Sequence, residues 1–84
     1  MTYQVELRPA AVKALRGIDR QDQRRLQGAI AALAGDPFPP SARALKGRPG
    51  FRVRVGDYRI LYTVDHDVLL VVVVTLGHRR DVYR

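Results

Sequence analysis

The 84-residue sequence predicts an α+β fold: a small antiparallel sheet with a helical hairpin packed on one face. Three observations lead there. Apolar and polar residues alternate over 2–7, 51–55 and 58–64, the period of half-buried strands. Two helical stretches, separated by only a couple of residues, lie between the first of these and the other two. A final run, Val68 to Leu76, is apolar except for Thr75 and has no polar face. It is far too short to cross a bilayer, which takes roughly 20 residues, and reads as a central strand covered on both sides. The predicted order is β-α-α-β-β-β in a single domain, residues 1–84.

Each element has its own signals. Tyr3, Val5 and Leu7 share one side of the first strand. Pro9 suits the first turn of a helix, Ala10 to Arg16 continue it, and Gly17 ends it. Asp19 stands at an N-cap position, with Asp22 in the first turn to complement the helix dipole. Leu26, Ala29, Ile30 and Leu33 then form one apolar stripe. Gly35-Asp36-Pro37 stops that helix, and 41–50 reads as a link. Gly56-Asp57 joins the next two strands as a two-residue hairpin turn, and Asp65-His66-Asp67 turns the chain once more. Gly77 closes the last strand, leaving 78–84 as a tail.

Charge is the strongest functional signal. Thirteen arginines and two lysines face eight carboxylates, for a net charge of +7. The balance is about +2 over residues 1–42 and +5 over 43–84, and arginine is the residue that forks phosphate oxygens. An anionic partner such as nucleic acid is therefore expected. Cysteine is absent, which removes disulfide and thiolate chemistry and fits a reducing compartment. The N-terminal residues lack the basic-then-apolar pattern of a signal peptide, so a cytoplasmic protein without membrane association is expected. No Gly-rich phosphate loop, close carboxylate pair or metal-ligand set is present. Asp65-His66-Asp67 reads as a turn rather than a ligand group, and neither a metal nor a cofactor is expected.

The hairpin FRVRVGDYRI concentrates the charge. With Gly56-Asp57 as the loop, Val55 faces Tyr58, Arg54 faces Arg59 and Val53 faces Ile60. One face of the ribbon then carries Phe51, Val53, Val55, Tyr58, Ile60 and Tyr62; the other carries Arg52, Arg54 and Arg59. Like charges directly opposite cost up to about 1 kcal/mol, so the arrangement asks for a compensating anion. Arg79, Arg80 and Arg84 in the tail add to it, with Tyr83 able to stack on a base.

Leu45-Lys46-Gly47, the FRVRVGDYRILYTV hairpin, the apolar strand and Gly77-His78-Arg79-Arg80-Asp81-Val82-Tyr83 together resemble the RelE branch of the RelE/ParE toxin superfamily. The resemblance spans nearly the whole chain. It implies a ribosome-dependent endoribonuclease that cuts mRNA in the A site by attack of the 2′-hydroxyl on the adjacent phosphate. It also implies a RelB-like antitoxin partner, through which alone the chain would meet operator DNA. The family's basic pair on the first hairpin strand falls on Arg52 and Arg54, its hairpin arginine on Arg59, its post-strand arginine on Arg79 and its tail tyrosine on Tyr83. Lys46, Arg48, Arg52 and Arg80 are expected to bind RNA phosphates, and Arg54, Arg59, Arg79 and Tyr83 to act at the reacting group. The best-known members have lysine where this chain has Arg52 and Arg54. Arginine stays protonated, with a pKa above about 12, and is a poor proton shuttle. Proton transfer is left open, with His78, the one histidine of the tail, as a candidate general acid or base. Two other readings stand beside this one: a ParE-like gyrase inhibitor without catalysis, and a co-repressor that has lost it.

Overall fold

The computed structural model describes residues 2–78. Seven elements follow in order: β1 (Gln4–Leu7), α1 (Pro9–Arg16), α2 (Arg20–Gly35), β2 (Arg43–Ala44), β3 (Phe51–Val55), β4 (Tyr58–Asp65) and β5 (Leu70–His78). They form one five-stranded sheet, ordered β1-β5-β4-β3-β2, with α1 and α2 on one face. The expected α+β architecture is observed, with two additions. β1 pairs with β5 in parallel, so the antiparallel β2 to β5 meander has one parallel edge. The helical hairpin returns the chain across the sheet after β1, which makes that parallel pairing possible. The short β2 lies inside the stretch read as a link, because two residues are too few to show a period.

The helices form where expected. Pro9 opens α1, and Gly17 ends it by donating its N–H to the carbonyl of Ala14. Gln23 Nε2 donates to the Leu15 carbonyl at 2.8 Å and ties α2 back to α1. Asp19 sits at the N-cap, but its side chain caps no backbone N–H. It shares a hydrogen bond with the Asp22 carboxyl instead. Ala11, Leu15, Leu26, Ile30 and Leu33 meet Val53, Ile60, Tyr62, Val71, Val73 and Leu76 of the sheet in one core.

β5 is central but corrects the sequence reading in two ways. Val68 and Leu69 belong to the turn after Asp65, whose Oδ1 accepts from the N–H of Asp67 (3.0 Å) and of Val68 (3.4 Å). Leu69 takes a positive φ of 53°. The strand then runs through Gly77 to His78, so His78 is not in a tail. Its second face is only half covered: Leu70, Val72 and Val74 are partly exposed, because both helices lie on the other side. A β-bulge opposite Leu61 and Tyr62 pairs them with Thr75 and Val73, so Val74 is the extra residue. Past the bulge the inward position moves to Leu76, which points Gly77 away from the helices and His78 towards them.

Tyr62 anchors the sheet to the end of α2. It is fully buried, stacks with Phe51 at 5.9 Å, and donates its hydroxyl to the Pro37 carbonyl at 2.7 Å. Burial, and then the Asp36 charge, push its hydroxyl from 10.0 up to about 12. A raised pKa means that the folded state keeps the proton. The associated stability is intact below pH 10 and is lost as pH climbs towards 12, a loss of about 2–3 kcal/mol. Tyr62→Phe is therefore expected to cost about 1 kcal/mol at neutral pH, a fall in Tm of about 4–8 °C. In denaturant titrations its stability should fall less steeply than the wild type's between pH 10 and 12; an unchanged slope would contradict this role for the hydroxyl.

Candidate functional site

The β3–β4 register follows from the turn. Gly56 has φ +59° while Asp57 does not take a positive φ, the pattern of a type II′ turn that suits the strand twist. Val55 pairs with Tyr58, Arg54 with Arg59, Val53 with Ile60, Arg52 with Leu61 and Phe51 with Tyr62, as the sequence predicts. The arginines therefore stand on the face opposite the helices.

The helix side of the hairpin tip is held by α2. A Cβ at Gly56 would lie 3.2 Å from the Arg25 guanidinium, which is itself 3.8 Å from Asp22. The hydrogen bond with Asp19, followed by burial, raises the Asp22 carboxyl above its ordinary range. Burial, followed by the charges of Asp22 and Asp19, raises the Tyr58 hydroxyl.

On the outer face two adjoining hollows of about 300 and 360 Å³ open over β3 and β4. Ser41, Arg43, Arg52, Arg54 and Arg59 line the first; Leu45, Lys46, Arg48, Arg52 and Arg59 line the second. Arg52 and Arg59 are shared, and among the described residues no carboxylate lines either hollow. The second wall exists because 45–50 folds back over the sheet. Leu45 N–H donates to the Gly50 carbonyl at 3.0 Å. Gly50 has φ +117°, and a Cβ there would lie 2.9 Å from the Tyr62 carbonyl oxygen, so only glycine fits. Leu61, 1% exposed, lies outside the main core and pairs with Arg52.

The structure thus brings together Arg52, Arg54, Arg59, Lys46 and Arg48 of the expected site. It places His78 elsewhere. His78 pairs with Tyr58 on the helix side, with ring centroids 6.0 Å apart, whereas the residue opposite Arg59 is Gly77. The bulge, invisible to strict alternation, is the cause. Arg79, Arg80 and Tyr83 lie outside the described residues. Sequence reasoning missed Ser41 and Arg43, for which no signal was available without the β2 pairing. In the Asp65-His66-Asp67 turn, Asp65 serves the turn and His66 Nδ1 bonds the Tyr3 hydroxyl at 2.9 Å.

A family model described as the ParE toxin of the type II toxin–antitoxin system parDE matches residues 5–83. The chain belongs to the RelE/ParE superfamily of type II toxins. A protein of Escherichia coli described as a RelE-like toxin is 31% identical over 99% of this chain and 92% of its own length. Toxin RelG of Mycobacterium tuberculosis is 42% identical over 67% of the chain and 66% of the relative. Among solved structures, the archaeal RelE–RelB complex of Pyrococcus horikoshii matches with TM-score 0.81 and 28% identity, covering 96% of this chain and 99% of that one. The RelBE2 toxin–antitoxin complex of M. tuberculosis matches with TM-score 0.85 at 23% identity, over 94% and 100%. Among the described residues of this toxin, no helix is long and apolar enough to cross a membrane.

Chemically, the face can bind phosphates and neutralise charge that develops on them, because guanidinium groups donate in pairs and remain charged. The same convergence sets Arg54 directly across from Arg59. Arg54→Thr is expected to raise Tm by a few degrees at low salt, since up to about 1 kcal/mol of cross-strand repulsion is removed. The gain should vanish near 1 M salt, where the screening length falls to about 3 Å. Calorimetry of the two proteins at both salt concentrations checks this; a gain that persists at high salt would assign it to packing.

Proposed function

We propose that this toxin is a ribosome-dependent endoribonuclease that cuts mRNA in the A site, and that the arginine face is where the scissile phosphate sits. The observation that carries the reading is the convergence of Arg52, Arg54 and Arg59, flanked by Lys46 and Arg48, on two adjoining hollows of the outer face. In the reaction the 2′-oxygen forms a bond to phosphorus and the bond to the 5′-oxygen breaks. A cyclic phosphate remains on one fragment and a 5′-hydroxyl on the other. The 2′-hydroxyl proton must leave, and the 5′-oxygen must gain one. Arg52, Arg54 and Arg59 hold the phosphate and stabilise the pentavalent charge, joined by Arg79; Arg80 adds to backbone binding and Tyr83 stacks on a base.

Proton transfer is assigned to none of the arginines. Nor is it assigned to His78, whose ring lies against Tyr58 on the other side of the sheet, since a general base must reach the proton it takes. Solved relatives carry RelB antitoxins. An acidic, partly disordered segment that folds on binding suits the basic surface here, so a RelB-like partner is proposed to hold the toxin inactive in the cytoplasm. Contact with operator DNA would pass through that complex.

A second reading, a ParE-like inhibitor of gyrase without catalysis, is favoured by the family model's ParE description and by arginine at positions 52 and 54. A defined translation reaction with primer extension separates the two. The proposal expects ribosome-dependent cuts within the A-site codon, lowered at least a hundredfold by Arg59→Ala or Arg79→Ala in variants that still fold. Intact mRNA together with inhibited DNA supercoiling would establish the alternative.

A further inference from the structure

We propose that Arg43 grips a second backbone phosphate adjacent to the scissile one, with Ser41 beside it. The proposal rests on the reading that this face receives RNA.

The placement comes from β2. Its register sets Arg43 directly across from Arg52, and facing side chains in an antiparallel pair have Cβ atoms about 4.5–5.5 Å apart. Arg54 stands two residues along β3 on the same face, about 7 Å from Arg52 at the usual strand rise. Arg43, Arg52, Arg54 and Arg59 thus line one hollow together with Ser41. Arg52 and Arg59 also line the neighbouring hollow, closed by Lys46 and Arg48. A phosphate at the shared pair therefore has a basic lobe on either side, and a strand crossing the face sets its next phosphate in the lobe of Arg43.

The Arg43 side chain is already oriented. Its Nη1 donates to the carbonyls of Pro40 (2.8 Å) and Ala42 (2.9 Å). Pro39 and Pro40 stiffen that loop, and the Ala42 N–H closes it on the Pro39 carbonyl at 2.9 Å. An exposed arginine normally gives up much rotamer freedom on binding, and this tether reduces the loss. Both carbonyls use Nη1, which leaves the Nε and Nη2 edge to fork two phosphate oxygens. Stapling the loop does not by itself call for a charge. A cation facing another across β2 and β3 is unfavourable until an anion bridges them.

The test replaces one phosphate at a time in the mRNA with an uncharged methylphosphonate, leaving the scissile linkage intact, and measures single-turnover cleavage on programmed ribosomes. Wild-type protein is expected to slow about tenfold at one flanking linkage. Arg43→Ala should be about tenfold slower on unmodified mRNA and indifferent to neutralisation at that linkage. Arg43→Gln keeps an amide donor for the loop carbonyls without the charge, and should behave like Arg43→Ala. Arg43→Lys should recover part of the rate. If variant and modification effects multiply at every linkage, or if Arg43→Gln cuts as fast as wild type, Arg43 holds no phosphate. Failure of the wild type to cut unmodified mRNA would overturn the RNA reading, and this proposal with it.

Discussion

The pairing register of β3 and β4 is the constraint on which the rest of the molecule depends. The same alternation that sends Val53, Ile60 and Tyr62 under the helices sends Arg52, Arg54 and Arg59 to the other face. A slip of one residue would bury guanidinium groups and expose the core, so core and site are specified by one choice. Gly56 sets that choice through its positive φ, and Arg25 and Asp22 of α2 hold the turn against the helices. The packing of the helix face thereby positions the arginines of the outer face.

How much could be read from the sequence follows from how local each determinant is. The hairpin register, the two helices and their buried stripe depend on short-range periodicity and turn chemistry, and all were legible. The β1–β5 parallel pair and β2 depend on contacts between distant segments, which leave no periodic trace. Arg43 therefore lies in a stretch that the sequence shows only as a link, although it faces Arg52. The apolar run of β5 suggested cover on both sides, yet only one face is under the helices.

His78 shows how a single extra residue redirects a functional inference. Strict alternation from Val71 through Val73 would have sent Thr75 inward and would have left the residues after it one position out of phase. The bulge at Val74 restores Leu76 to the core, puts Gly77 beside Arg59 and turns His78 towards Tyr58. Bulges commonly re-aim side chains beside functional sites. Here the bulge leaves the arginine face without a neighbouring histidine from β5, so positioning and charge stabilisation are what that face offers.

The central claim is that RNA lies on the outer face of the sheet. Backbone amide chemical shifts of the isotopically labelled protein, followed during titration with a short RNA that carries a 2′-deoxy nucleotide at the cleavage position, test it most directly. The account predicts the largest changes at Arg43, Lys46, Arg48, Arg52, Arg54 and Arg59, with α1 and α2 little affected. Changes centred on the helices, with the arginine strands unmoved, would contradict it.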